Sequence, residues 1–534
     1  MHKRFRHGAL GTIVAALVIG LLLRGVNLSE NLYWVDEVYT ALRLAGHTQE
    51  TVLPLLSQPI QVADLAPFQG TAGAFAQTLW ALAQHPEHPP LYYLTAWGAL
   101  ALGPPGPAFV GLLRWVSVLF GLLALPAVYW LCWELWRPLK AALPGVGHQV
   151  GPQVSVIALA LVTLSPLHVL YAQEAREYGL WTSLILIAGA ALLRAIAVGG
   201  RWWWVYGVSV ALGLYSHLLF GLVVLVHGAY VLLTGHRSLR AYGIATAAAI
   251  AAFLPWVWVG LQRLGQLGAV AEGVQRETSL NYLINVWARN LNRVFFNGDW
   301  GSANLLILGL ALYSVYHLWR TQREFQQGQQ QVHRPALFIA LLIALPALAL
   351  LIPDVVLGGI RSARIRYLIP AYLGGQLAIA HLFASQLTQR RGWGRRGWSA
   401  GLALVLVASG GASAISTQIS TSWAKSDKSV YYPAMAEAIN ASDRPWVLND
   451  SSVGYFLALA HRLKPETVLQ MVDPQRVEPH PGHTVFLFAP SPKLRRIAQR
   501  RYGPLQLRVE QNPQFQLWQM DSGAQAGIPA KGSL

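Results

Sequence analysis

Stretches of about 20 predominantly apolar residues recur along this chain from Ala9 to Ser416, and they constrain its fold more than any other feature. An α-helix of that length crosses the hydrocarbon core of a bilayer. Of the 534 residues only 12% are charged whereas 54% are hydrophobic, so there is too little polar surface to cover a soluble protein of this size. The sequence therefore predicts an all-α polytopic membrane protein.

Eleven of these stretches are predicted to span the membrane. They cover residues 9–28, 110–135, 154–172, 178–197, 202–217, 218–235, 241–261, 303–319, 335–352, 367–388 and 399–416. With the N-terminus in the cytoplasm, every connection on the inner side carries arginine or lysine, as the positive-inside rule requires. These basic connections lie near residues 137–140, 194–201, 237–240, 320–334 and 390–396. The net charge is +17, but the basic residues sit mostly in short clusters between apolar segments, so we expect no nucleic-acid partner.

The apolar segment 91–103 has only 13 residues and is predicted to be an interfacial or re-entrant helix instead of a span. An odd number of spans then places the chain from about Thr417 on the outer side. Helix-like stretches there, at 431–441, 452–463 and 491–502, alternate with strand-like ones that begin at residues 445, 484 and 515. We predict a membrane domain over residues 1–416, with its first outer loop at 29–109, and a small extracytoplasmic α/β domain over 417–534.

Asp36 and Glu37 lie only a few residues beyond the first predicted span, on the outer side. Carboxylates this close to the apolar slab are costly unless they are solvated, paired or functional. Such a carboxylate is suited to act as a general base on an acceptor hydroxyl. The alternative is the exposed polar start of an ordinary loop.

A second outward cluster is the segment HPEHPPLYY, which begins at His85 and also contains Glu87, His88 and Tyr93. Two histidines and a glutamate within four residues are suited to binding a phosphate or a divalent metal ion. They would equally serve to solvate a turn. A metal is therefore left open, and no other cofactor is predicted.

Glu174 and Arg176 lie in a short outward connection between two predicted spans. In this position they form either a local salt bridge at the start of a helix or part of a site. Sequence alone does not separate the two interpretations.

Arg361, Arg364 and Arg366 lie in an outer loop, against the positive-inside tendency. Guanidinium groups present forked donors that match the oxygens of phosphate, so an anionic ligand would explain their position. Binding of anionic lipid headgroups without chemistry is the alternative.

Carboxylates and arginines on one membrane face predict a transfer reaction on a sugar attached to a polyprenyl phosphate. The acceptor hydroxyl would lose its proton as it attacks the anomeric carbon, and the arginines would stabilise the departing phosphate. The alternative is a transporter or flippase of lipid-linked saccharides, although transporters tend to show internal symmetry around the midplane. A non-catalytic scaffold would leave Asp36 and Glu174 without a purpose.

The order of these segments resembles a known family. WVDE at 34–37, HPPLYY at 88–93, SPLHVLYAQEAREYGL at 165–180 and RIRYLIP at 364–370 are similar to segments of the integral-membrane glycosyltransferases that include protein O-mannosyltransferases and the aminoarabinose transferase of lipid A. The likeness covers roughly residues 9–390. It implies a GT-C fold, a dolichyl- or undecaprenyl-phosphate sugar donor and inversion at the anomeric carbon.

The resemblance also implies roles for individual residues. Asp36 matches the acidic residue of the first outer loop, the expected catalytic base, and Glu37 completes the pair. Glu87 is expected to contact a metal or the acceptor, whereas His88, where the aminoarabinose enzymes have lysine, is expected at the donor phosphate. EAR at Glu174–Arg176 is similar to the ESR of the mannosyltransferases, and Arg366 and Tyr367 match the family's outer-face RY segment. Together with the clusters described above, we predict a catalytic carboxylate in Glu174; donor-phosphate contacts in Arg176, Arg361, Arg364, Arg366 and Tyr367; and acceptor or metal contacts in His85 and Tyr93.

The chain lacks the luminal β-trefoil insertion of eukaryotic protein mannosyltransferases, so the resemblance is to the bacterial branch. This implies a multi-pass protein of the inner (plasma) membrane. The acceptor is expected to be a lipid, a glycan or a protein.

Overall fold

A computed structural model describes residues 2–103, 108–137, 150–235, 238–326, 334–388, 393–419, 430–477, 482–512 and 515–520. Parts of four predicted cytoplasmic connections, those near 137–140, 237–240, 320–334 and 390–396, lie outside the described residues.

Twenty-one α-helices are formed by the described residues. They are α1 (His2–Gly25), α2 (Val35–Leu44), α3 (Gln49–Leu56), α4 (Phe75–Ala83), α5 (Leu91–Leu102), α6 (Phe109–Leu135), α7 (Val150–Thr163), α8 (Pro166–Ala172), α9 (Tyr178–Val198), α10 (Trp202–Ser216), α11 (Phe220–Leu233), α12 (Leu239–Leu261), α13 (Leu264–Gly273), α14 (Leu280–Asn292), α15 (Leu305–Gln326), α16 (Pro335–Leu357), α17 (Ile369–Thr388), α18 (Trp393–Ile419), α19 (Tyr432–Asn440), α20 (Val453–Ala460) and α21 (Pro492–Tyr502).

All eleven segments predicted to span the membrane are helical, and the predicted polytopic fold class is confirmed. Among the described residues, eight helices are long and apolar enough to cross a membrane, namely α1, α6, α9, α12, α15, α16, α17 and α18. The pair α7 and α8, bent by 58°, makes a ninth if it is counted as one span. Helices α10 and α11 are shorter: the 15 residues of α10 rise about 22 Å, less than the ~30 Å of a bilayer core.

The chain forms two compact units. The helical unit contains residues 1–28, 82–95 and 114–419, and the α/β unit contains residues 29–81, 96–113 and 420–534. Much of the first outer loop thus folds together with the C-terminal segment, which the predicted division at residue 416 did not anticipate. Within the helical unit, α17 is almost entirely buried and packs against α7, α15, α16 and α18.

The bend between α7 and α8 is held by a buried arginine at the end of α1. Pro166, the first residue of α8, has no N–H and cannot donate to the carbonyl of Val162. The Arg24 guanidinium donates instead, from Nη2 to the Val162 oxygen at 3.1 Å and from Nη1 to the Thr163 oxygen at 3.0 Å. A side chain from another helix therefore replaces the interrupted backbone hydrogen bonds.

The α/β unit is built on one six-stranded sheet of order β1-β3-β2-β4-β6-β5. Its strands are β1 (Ile60–Gln61), β2 (Pro445–Asn449), β3 (Val468–Met471), β4 (Thr484–Phe488), β5 (Leu505–Asn512) and β6 (Phe515–Met520). Strands β3, β2 and β4 are parallel, and the other pairings are antiparallel. Strand β1 comes from the first outer loop and pairs with β3 through Ile60 opposite Leu469.

Alternate residues of the parallel strands face two layers of helices. Trp446 and Leu448 of β2 share one core with Leu494 of α21. On the opposite face, the Phe488 ring stacks on Phe456 of α20 and meets Tyr432 of α19. This alternation is what the period of two in a strand dictates.

We expect Arg24→Met to lower the stability of the protein, because it leaves the Val162 and Thr163 carbonyls without the donors seen here. Each buried acceptor left unsatisfied costs about 1–3 kcal/mol. The measurement is the thermal unfolding midpoint of the detergent-solubilised protein, with Leu22→Met, a change on the exposed side of the same helix, as the control. Adding Pro166→Ala, which restores an N–H at the bend, should recover part of the loss. Equal midpoints for Arg24→Met and the control would contradict this role.

Candidate functional site

A buried ionic cluster in the helical unit is centred on Glu177, which immediately precedes α9. Its Oε1 accepts a hydrogen bond from Arg176 Nη2 at 3.3 Å and lies 3.5 Å from His88 Nδ1. Its Oε2 accepts from the Tyr93 hydroxyl at 3.3 Å and lies 3.2 Å from Arg176 Nε. The sequence places Glu177 in an outward connection but assigns it no role. The structure makes it one of the residues that join HPPLYY to EAR (Glu174–Arg176); Arg176 Nη2 also lies 3.2 Å from His88 Nδ1.

The charge state of Glu177 follows from these contacts. Burial alone would raise the pKa of this carboxyl, but Arg176, the hydrogen bond and charge of His88, and nearby His217 together hold its pKa well below its usual range. A depressed carboxyl pKa means that the ionised form is favoured in the folded protein. The associated stability is fully present above the ordinary pKa of glutamate and is lost as the pH falls through the lowered one.

Two arginines from distant segments approach the ring of Tyr178. The guanidinium carbon of Arg176 lies 5.8 Å from its centroid, and that of Arg366 lies 5.5 Å from it. The Arg366 guanidinium is also 5.7 Å from the ring of Tyr367. These are cation–π distances, and the rings hold both cations without neutralising them. The segments EAR and RIRY, almost 190 residues apart, thus meet at one place.

The ring of His217 packs against aromatic side chains of this site. It lies at the break between α10 and α11, where its extended backbone ends α10. Its ring stacks on Trp181 at 4.2 Å and meets the Tyr367 ring edge-on at 6.2 Å. In the sequence, Ser216 and His217 form a short break between two predicted spans, which by itself assigns no role to His217.

The bent span positions Glu174 and its neighbours. Helix α8 ends at Ala172, and the side-chain amide of Gln173 donates to the carbonyls of Leu23 at 3.4 Å and Arg24 at 3.2 Å. Glu174 is buried. Both Glu174 and Arg366 lie close enough to Tyr171 to interact with it electrostatically. The connection is therefore fixed by backbone contacts at the end of α1.

The three predicted arginines of the outer loop have different surroundings. Arg361 donates from Nη1 to Oδ1 of the buried Asp354 at 3.2 Å. The other oxygen of Asp354 accepts from the backbone and hydroxyl of Ser362, at 2.6 and 2.7 Å. Arg364 is exposed, whereas Arg366 is half-buried. Asp354, which was not singled out from the sequence, thus braces the loop through Arg361.

His85 and Glu87 form a second contact in the same turn. His85 Nδ1 lies 3.4 Å from Glu87 Oε1 and 3.2 Å from the side-chain nitrogen of Gln266. The indole of Trp256 donates to the carbonyl of Pro86 at 3.0 Å and holds the turn against α12. In the part of the chain that the structure describes, no group of three His, Cys, Asp or Glu side chains is placed to hold a metal ion.

The first two predicted catalytic carboxylates belong to the α/β unit. Asp36 and Glu37 lie in the first turn of α2, where the helix dipole favours negative side chains. Asp36 is half-buried and Glu37 is fully buried. The Tyr33 hydroxyl donates to the backbone oxygen of Glu37 at 3.3 Å, and that of Thr40 donates to the Asp36 backbone oxygen at 3.1 Å.

These features define a polytopic membrane protein with a GT-C fold and a small C-terminal sheet, as the resemblance of the motifs implied. The chain is similar to the crystal structures of ArnT from Cupriavidus metallidurans in the apo state and bound to undecaprenyl phosphate. Both comparisons cover 97% of this chain and 99% of ArnT with a TM-score of 0.52, at sequence identities of 13% and 12%. The sequence matches no family model and no curated protein.

We expect Glu177→Gln to destabilise the protein strongly, because it leaves the buried Arg176 guanidinium without its carboxylate. Removing one partner of a buried ion pair costs about 3–5 kcal/mol. Tyr93→Phe, which removes a single hydrogen bond to the same carboxylate, should cost only about 1 kcal/mol. Thermal unfolding midpoints of the purified variants test this order, and a midpoint for Glu177→Gln no lower than that of Tyr93→Phe would refute it.

Proposed function

We propose that this protein is a membrane glycosyltransferase that moves a sugar from a polyprenyl-phosphate donor to an acceptor at the outer membrane face. The observation that carries the proposal is the approach of both Arg176 and Arg366 to the ring of Tyr178, with His88 and Glu177 next to Arg176. The similarity of the fold to ArnT, one structure of which is bound to undecaprenyl phosphate, supports a lipid-linked donor.

The donor phosphate is held by the cations of the helical unit. Arg176 and Arg366 supply forked N–H donors, and His88 supplies a further one when it is protonated. Because Glu177 neutralises one unit of this charge, the remainder suits the negative charge that grows on the departing phosphate. Of the outer-loop arginines, the pairing of Arg361 with Asp354 favours Arg366 as the phosphate ligand.

The acceptor is activated by a carboxylate. Asp36 removes the proton of the acceptor hydroxyl, and the resulting oxygen attacks the anomeric carbon on the side opposite the phosphate. The new C–O bond forms as the bond from the anomeric carbon to the phosphate oxygen breaks, which releases polyprenyl phosphate and inverts the anomeric configuration. Glu37 and Glu174 act as supporting carboxylates, and His85, Glu87 and Tyr93 contact the acceptor.

The orientation follows from the basic connections. The protein lies in the inner membrane with its N-terminus in the cytoplasm and its C-terminal domain outside. The acceptor is a lipid, a glycan or a protein of the cell envelope.

Asp36→Asn should lower sugar transfer by about 100- to 10⁴-fold, the range that a positioned general base contributes. Asparagine has nearly the same shape but cannot accept the proton at neutral pH. The measurement is transfer of a radiolabelled sugar from undecaprenyl phosphate to a bacterial envelope extract by the protein reconstituted in proteoliposomes. Binding of undecaprenyl phosphate should be unchanged, and undiminished transfer would exclude Asp36 as the base.

Arg366→Ala should weaken the binding of undecaprenyl phosphate by about 10- to 100-fold, since a hydrogen bond to a charged group contributes about 1.5–3 kcal/mol. Arg263→Ala, which removes an exposed arginine at the end of α12, is the control for the change in net charge. Tryptophan fluorescence titration with undecaprenyl phosphate measures both. Equal affinities for the two variants would refute the phosphate-binding role of Arg366.

A further inference from the structure

Helix α2, which carries Asp36, lies directly against helix α20 of the C-terminal segment in the α/β unit. Gly454 of α20 lies at this contact. A β-carbon added there would lie 2.6 Å from Val35 Cγ2 and 2.7 Å from Tyr39 Cζ. Real β-carbons essentially never approach this closely, so with any other residue at this position Val35, Tyr39 or the helices themselves must shift.

Tyr39 ties the two helices together with polar contacts. It lies one turn after Asp36, and its hydroxyl donates to Gln49 Oε1 at 3.2 Å. Its side chain also hydrogen-bonds with Ser452, whose hydroxyl caps the N-terminus of α20. The side chain that covers Gly454 is therefore fixed at its far end as well.

The chain on both sides of α2 is fastened to the same segment. Before α2, the ring of Tyr33 packs on His461 with centroids 4.8 Å apart. After α2, the backbone nitrogens of Val62 and Ala63 donate to the carbonyls of Thr467 and Pro465, both at 3.0 Å. Helix α2 is thus held before, along and after its length.

We propose that packing against α20 fixes the position of α2. Gly454, which lies at this contact, is thus a positioning residue that sets the location of Asp36 during sugar transfer. The inference rests on the proposed function, because it takes Asp36 to be the base. The C-terminal domain then contributes to the reaction by positioning Asp36, without contacting the substrate.

The rate of sugar transfer depends on the packing of α2 against α20 for a physical reason. Helix α2 has only ten residues, and helices this short are marginal in water unless they are packed against other elements. A general base works at about 2.6–3.2 Å from the atom that carries the proton it removes. A displacement of about 1 Å can lower a rate by about 100-fold.

The test compares Gly454→Ala with Gly98→Ala. Both replace a helical glycine of the α/β unit, but a β-carbon at Gly98 meets nothing within 4 Å. We expect Gly454→Ala to lower kcat by about 10- to 100-fold while binding of undecaprenyl phosphate is unchanged. Amide hydrogen exchange of residues 35–44 should become faster in this variant, and Gly98→Ala should behave as the unmodified protein. Val35→Ala combined with Gly454→Ala should recover part of the lost kcat, because the truncation removes the nearest clashing carbon.

Unchanged amide hydrogen exchange of residues 35–44 in Gly454→Ala would contradict the claim that α20 holds α2 in place. Faster exchange with a normal kcat would contradict the claim that the packing of α2 against α20 sets the rate of sugar transfer. Failure of the proposed function has a different signature: the unmodified protein would then transfer no sugar, or Asp36→Asn would transfer it normally, whereas the exchange data would still decide whether α20 holds α2.

Discussion

Backbone carbonyls at a broken helix inside a membrane protein cannot accept hydrogen bonds from water, and leaving them unpaired costs free energy. Much of the candidate site depends on how these carbonyls are paired. At the bend between α7 and α8 they are paired by Arg24, which is buried and donates to two carbonyls of α7. The same end of α1 accepts hydrogen bonds from Gln173. Because Gln173 leads directly into Glu174, Arg176 and Glu177, the bend fixes the stretch of chain that carries the ionic cluster. An intramembrane arginine usually suggests a ligand, but here its partners are backbone groups.

Charge within the cluster is arranged so that one cation is balanced and positive charge remains. Glu177 keeps its negative charge because Arg176 and His88 lower its pKa, and in return it stabilises the buried guanidinium of Arg176. Arg366 approaches the same tyrosine ring. The cations are thus held by rings and by a shared carboxylate, which avoids the full cost of desolvating each alone. The proposed function assigns this remaining positive charge to a phosphate whose negative charge grows during the reaction.

The sequence predicts those features that depend on long or ordered patterns. Apolar runs located all eleven helical segments, and the order of WVDE, HPPLYY, EAR and RIRY indicated the GT-C fold. The role of Glu177 could not be predicted, because its partners His88 and Tyr93 are more than 80 residues away in the chain. Nor could the pairing of Arg361 with Asp354, which depends on how the loop after α16 folds back. Strand β1 has only two residues and becomes a strand solely by pairing with β3, so it carries no local signal. Strand β5 alternates apolar and polar residues in LQLRVE and could have been recognised.

The central claim is that the bond between the sugar and the lipid phosphate is broken at the outer face. The most direct test follows the fate of the donor by mass spectrometry, in proteoliposomes that contain the purified protein, a panel of undecaprenyl-phosphate sugars and an envelope extract as acceptor. The account predicts that free undecaprenyl phosphate appears in step with a glycosylated product of inverted anomeric configuration. A donor that changes leaflet but stays chemically intact would contradict it and indicate a transporter.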